Sequence, residues 1–76
     1  MRPPNSSLIM QTVDSEAVWQ IGYDPSERVL YVRFSSGDLY GYEDVPEAIY
    51  AGFVAAPSQG RFFQTEIDGI YRYEKL

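Results

Sequence analysis

Residues 28–43, Arg28-Val-Leu-Tyr-Val-Arg-Phe-Ser-Ser-Gly-Asp-Leu-Tyr-Gly-Tyr-Glu43, decide how this chain folds. From Arg28 to Ser35 the side chains alternate, with Leu30, Val32 and Phe34 on one face and Val29, Tyr31 and Arg33 on the other, the two-residue period of a strand. Ser35-Ser36-Gly37 supplies turn chemistry, and Asp38 to Glu43 a returning strand. The turn's register sets which way two tyrosines point, because a slip of one residue moves every side chain to the opposite face. A three-residue loop with Gly37 in a bulge pairs Phe34 with Asp38, Val32 with Tyr40 and Leu30 with Tyr42, turning both tyrosines toward the core. A two-residue loop, Ser36-Gly37, sets Tyr40 opposite Arg33 and Tyr42 opposite Tyr31, an outward platform of three tyrosines and an arginine. The first register is preferred, since the left-handed position of a three-residue loop is where glycine is expected.

Upstream, Trp19, Ile21 and Tyr23 alternate with Val18, Gln20 and Gly22 as a further strand, and Asp24-Pro25-Ser26-Glu27 is a turn that joins it to Arg28. Residues 1–14 carry two prolines and small polar residues without a period, so a flexible tail is expected there, with a single domain over residues 15–76. Downstream, Asp44-Val45-Pro46-Glu47 starts a helix running to about Ala55, whose pairs Ile49 with Phe53 and Tyr50 with Val54 form one apolar stripe. Ala56-Pro57 ends it. Ser58 caps a second helix expected through Asp68, with Gly69 as terminator, and Ile70 to Glu74 alternates as a short strand. The expected fold is α+β: a three-stranded antiparallel meander, with room for a short fourth strand, packed against a two-helix hairpin in the order β-β-β-α-α(-β).

Composition narrows the function. Seventy-six residues with 45% hydrophobic and 16% aromatic side chains suit one small core, whose net stability is on the order of 5 kcal/mol. No cysteine or histidine is present, which removes disulfides, thiolate zinc sites and every histidine-activated nucleophile. No cofactor and no metal are therefore expected, and no enzymatic activity. No run approaches the length of a membrane span or a signal peptide's apolar region, so the expected address is the cytoplasm. The net charge of −5 repels phosphate backbones at long range, unless Arg33, Arg61 and Arg72 converge on one basic face.

Two features invite a binding role. Exposed tyrosines interleaved with arginine can stack single-stranded nucleic acid, which draws attention to Tyr31, Arg33, Tyr40, Tyr42 and Arg72 and to the repeats Tyr40-Gly41-Tyr42 and Tyr71-Arg72-Tyr73. The competing reading, that these aromatics pack a strand face with their hydroxyls in water, carries more weight. Trp19 is read the same way, as core or half-core. Ser58-Gln59-Gly60-Arg61 opens a helix whose free amides could hold an anion beside Arg61, although an ordinary cap explains it more simply. Glu43, Asp44 and Glu47 are read as solvated acids near a helix N-terminus rather than a catalytic pair.

The ordered series Ile21-Gly22-Tyr23-Asp24-Pro25, Leu30, Val32, Phe34, Ser36-Gly37, Tyr40-Gly41-Tyr42, Val45-Pro46, Ala56-Pro57-Ser58 and Gly60-Arg61-Phe62-Phe63 resembles the KTSC domain. That family occurs as short bacterial stand-alone proteins and at the C-terminus of some lysyl-tRNA synthetases. The resemblance implies a small domain of unknown specific function with a suggested link to RNA, and carries over Tyr40 and Tyr42 as the central Y-x-Y and Arg61 in the helix-entrance motif. The chain departs from the pattern where Gln59, Gln64, Glu66 and Asp68 leave Arg61 nearly alone, and where Arg28 stands at a turn position comfortable for glycine. Two binding classes follow as expectations: an RNA-associated module (single-stranded or structured RNA) using Tyr31, Arg33, Tyr40, Tyr42, Arg61 and Arg72, or a protein-interaction module using an exposed sheet face or edge strand.

Overall fold

In the computed structural model, which describes residues 8–76, the elements run β1 (Met10–Thr12), β2 (Val18–Asp24), β3 (Val29–Phe34), β4 (Leu39–Tyr42), α1 (Glu47–Ala55), α2 (Gln59–Glu66) and β5 (Tyr73–Lys75). The five strands form one antiparallel sheet in the order β1-β2-β3-β4-β5. At its centre the β3–β4 turn takes the three-residue form. Gly37 adopts φ 96°, a conformation that a Cβ disfavours. Its N–H donates to the Phe34 carbonyl at 2.8 Å, and the Phe34 N–H donates to the Asp38 carbonyl at 2.9 Å. Leu30 therefore pairs with Tyr42 and Val32 with Tyr40, so both Y-x-Y tyrosines share the face of Leu30 and Val32.

The β2–β3 turn is closed by a side chain. Asp24 Oδ1 accepts from the Ser26 N–H at 3.0 Å, the Ser26 hydroxyl at 2.7 Å and the Glu27 N–H at 3.4 Å. Arg28 sits at φ 56°, the left-handed region anticipated from its place in the turn. It is held there because its carbonyl accepts from the Val45 N–H at 2.9 Å.

Two expectations are corrected. Within the tail expected over residues 1–14, Met10–Thr12 forms an edge strand, pairing Met10 with Gly22 and Thr12 with Gln20; residues 1–7 lie outside the described residues. β1 packs close against β2 at Gly22, where an added Cβ would lie 2.5 Å from Met10 Sδ and 3.2 Å from the Ile9 carbonyl oxygen. The second correction is Trp19. A bulge between Val18 and Gln20 interrupts the β2–β3 register, so Val18 enters the core while Trp19 is 48% exposed. A one-residue insertion of this kind breaks the alternation on which its core placement rested.

The helices cover the face carrying Leu30 and Val32. Pro46 precedes α1 without a side-chain cap, and Tyr23 ties the helix entrance to the sheet, its hydroxyl donating to the Val45 carbonyl at 2.6 Å while its ring stacks on Tyr50 at 5.3 Å. Ser58 caps α2 as expected, its Oγ accepting from the Arg61 N–H at 3.2 Å. The helix stops at Glu66, two residues before the expected end, with Gly69 at φ 79° beyond it. The final strand likewise lies later, at Tyr73–Lys75 rather than Ile70–Glu74. Val18, Ile21, Leu30, Val32, Val45, Phe53 and Ile67 are fully buried, and Phe53 stacks on Phe62 at 5.5 Å.

Phe53 is the largest of these fully buried side chains. Phe53→Ala is expected to cost about 3–5 kcal/mol, most of the domain's stability, so the urea midpoint followed by Trp19 fluorescence should fall toward zero denaturant. Gly22→Ala is expected to push the Met10 side chain aside and loosen β1 against β2, so amides of residues 10–12 should lose some hydrogen-exchange protection while those of residues 30–33 keep it.

Candidate functional site

Where the sheet extends past the helices to β4 and β5, a cleft of about 320 Å³ opens on the core side. Its wall is aromatic: Phe34, Tyr40, Tyr42 and Tyr73. The register assembles it, because β5 pairs Tyr73 with Tyr42 and Lys75 with Tyr40, turning both β5 side chains to the face already occupied by the Y-x-Y pair. The rings are in contact: Phe34 meets Tyr40 edge-on at 5.5 Å, and Tyr73 lies 5.8 Å from Tyr40 and 5.6 Å from Tyr42. Behind them Phe63 packs edge-on against Phe34 at 5.2 Å and Tyr42 at 5.7 Å. Edge-to-face pairs of this kind each add about 0.5–1.5 kcal/mol beyond burial, so the wall is held by the same rings that build the core.

Two carboxylates, Asp38 and Asp68, and the Ser36 hydroxyl complete its lining. Lys75 Nζ reaches Asp38 Oδ1 at 3.6 Å, both side chains being about half exposed. Tyr42 is 4% exposed, and burial raises its hydroxyl pKa above the ordinary tyrosine value, with Asp68 and then Tyr40 and Tyr73 adding to the shift. A phenol hemmed in by rings and a carboxylate stays neutral at any physiological pH.

The remaining residues singled out in the sequence are dispersed. Tyr31 lies on the outer face, the one turned away from the helices, between Gly22 and Gly41, and is 3% exposed, so it offers little stacking surface. Arg33 shares that face: its Nη1 donates to the Gly37 carbonyl at 2.8 Å, and its guanidinium lies 5.9 Å from the Trp19 ring centre. Arg72 is exposed at the other end of β4, where its carbonyl accepts from the Glu43 N–H at 2.8 Å. Arg61 is exposed on α2, in the helical layer. The three arginines thus occupy separate places on two layers and form no common basic face. The α2 entrance acts as a cap: Ser58 accepts from Arg61, and buried Gln59 donates its side-chain amide to the carbonyls of Val54 at 3.2 Å and Ala56 at 3.1 Å.

The preferred register already set Phe34 and Asp38 beside Tyr40 and Tyr42 on one face, but sequence reasoning missed Asp68 and Tyr73 as their neighbours. The second Y-x-Y repeat was a signal for Tyr73, yet only the β4–β5 pairing brings it across. Among the described residues no group of three or more Asp and Glu side chains could hold a metal ion, and no helix is long and apolar enough to cross a membrane.

The geometry defines a small α+β domain whose accessible chemistry is aromatic and acidic. Residues 14–73 match the KTSC domain model, and the chain belongs to the KTSC domain family. Relatives include a protein of Tsukamurella paurometabola, 45% identical over 53 residues that cover 70% of this chain and 79% of its own. An uncharacterised protein of Stutzerimonas stutzeri is 40% identical over 65 residues, covering 84% and 92%. A lysine–tRNA ligase of a Nostoc species is 37% identical over 54 residues, 71% of this chain but 10% of the ligase. The crystal structure of a KTSC domain protein from Yersinia pestis superimposes with a TM-score of 0.89 at 37% identity, covering 92% of this chain and 99% of that one.

The buried Tyr42 phenol has a pH consequence. Its pKa is raised in the folded state, so its contribution to stability is complete below the unfolded value of about 10 and is lost as pH rises beyond it, when only the unfolded chain releases the proton. The melting temperature is expected to fall above about pH 10, and Tyr42→Phe is expected to flatten that part of the Tm-against-pH curve measured by circular dichroism.

Proposed function

We propose that this KTSC domain is a non-catalytic protein-interaction module of the cytoplasm and that the aromatic cleft beside β5 is its docking site. The observation that carries the reading is the position of the Y-x-Y tyrosines, turned coreward into a cleft rimmed by Asp38 and Asp68. Carboxylates at that rim repel phosphate, while tyrosine-rich clefts suit protein partners. Tyr73–Lys75 is also the last strand of the sheet, and an extended segment can lie along such an edge.

RNA association is the second reading, and one observation favours it: the half-exposed Trp19 ring lies beside the partly exposed Arg33 guanidinium on the outer face. The lysine–tRNA ligase relatives agree with it. Against it stand the dispersal of the arginines and the net charge of −5.

A residue-resolved NMR titration separates the two. With a short mixed-sequence single-stranded RNA the spectrum is expected to stay unchanged even at low salt, where counterion release favours binding most. A pool of unstructured peptides is expected to shift the amides of Asp38, Tyr40 and Tyr73. Localised, salt-sensitive shifts at Trp19 and Arg33 with RNA would replace the protein reading by the RNA one.

A further inference from the structure

We infer that the cleft between Tyr40, Tyr42 and Tyr73 receives an arginine side chain from an extended segment of the partner protein; this rests on the protein-interaction reading above.

The cleft combines the two elements that select a cation over an apolar side chain. Its wall offers the faces and edges of four touching rings, and an aromatic face attracts a guanidinium through its quadrupole, the more so when water is excluded. Its lining also includes Asp38 and Asp68, whose carboxylates can accept hydrogen bonds from the planar fork of a guanidinium. The molecule already shows the preference internally. Lys75, brought to this face by the β4–β5 register, sets its ammonium 3.6 Å from Asp38. That contact is about half exposed on both sides, the kind of ion pair that contributes little and is readily exchanged. A partner's arginine can therefore take the Asp38 carboxylate while adding contacts to the rings and to Asp68 that Lys75 is not seen to make. The Tyr42 ring lines the cleft, and the oxygen of its neutral phenol can accept from a guanidinium N–H. Arginine suits the site better than lysine because a delocalised, weakly hydrated plane stacks on rings at lower desolvation cost than a compact ammonium. The net charge of −5 further favours encounter with a basic segment, in a salt-dependent manner.

The test uses the full chain and a set of short Gly-Ser peptides with one central residue: arginine, its neutral isostere citrulline, lysine or leucine. Shifts of the Tyr40, Tyr42 and Tyr73 signals give the affinities. The arginine peptide is expected to bind about tenfold more tightly than the citrulline peptide and about threefold more tightly than the lysine peptide. Lys75→Ala is expected to strengthen arginine binding, by about twofold to threefold, and Asp38→Asn and Asp68→Asn each to weaken it about fivefold. Circular dichroism spectra matching the parent show that these surface variants remain folded. If citrulline or leucine peptides bind at the cleft as tightly as arginine, the charge selection is overturned while the protein-interaction reading stands. If no peptide moves the cleft signals at millimolar concentration, both are overturned, and RNA-induced shifts at Trp19 and Arg33 would then name the alternative.

Discussion

One backbone position governs the rest of the molecule. Gly37 at φ 96° closes a three-residue loop, and with side chains alternating along every strand that loop length sets which face each residue of β4 presents. Tyr40 and Tyr42 consequently join Leu30 and Val32 on the helix-covered side. β5 then pairs with β4 and brings Tyr73 and Lys75 to the same side. Had the loop been one residue shorter, the tyrosines would have formed an outward platform beside Arg33 and the cleft would have no wall.

Because the cleft and the core share one network of rings, the site is as rigid as the fold. Contacts run from Phe62 through Phe53 and Phe63 to Tyr42, and on to Tyr73 at the surface. A domain of this size without disulfides has little stability to spare, and aromatic side chains supply the most burial per residue. The same economy leaves Tyr73 packed on one side and 59% exposed overall, so one ring both supports the core and presents a surface to solvent.

The family relationship places this chain beside small stand-alone proteins and beside one-tenth-length segments of lysine–tRNA ligases. The outer face differs in character: Tyr31 is sealed between two glycines, and the Trp19–Arg33 pair stands where the bulge in β2 lifts it clear of the core. The two faces thus offer distinct chemistry on one sheet, and the acidic face is the one assembled by the Y-x-Y tyrosines.

Much of the fold was legible in local pattern. Alternation at Leu30, Val32 and Phe34, the glycine of the 35–37 turn, the Ser58 cap and the four-residue pairs of α1 are local signals, and each specifies its own element. The register followed from them because a glycine at the left-handed loop position has a conformational reason. What the sequence could not show is anything that depends on non-local pairing. The bulge that exposes Trp19 arises where β2 meets β3, and the edge strand Met10–Thr12 lies close against β2 at Gly22. The meeting of Tyr73 with Tyr40 and Tyr42 is set by β5 joining β4 after two intervening helices, and Asp68 enters the cleft from the segment that follows α2. Sequence by itself determined the central strands and both helices, the family, the shared face of Tyr40 and Tyr42, and the absence of histidine and cysteine chemistry. Tertiary structure alone decided that an edge strand joins at Met10–Thr12 and that Tyr73 and Asp68 meet the Y-x-Y tyrosines, since proximity across a sheet is a property of strand order, which no local spacing encodes.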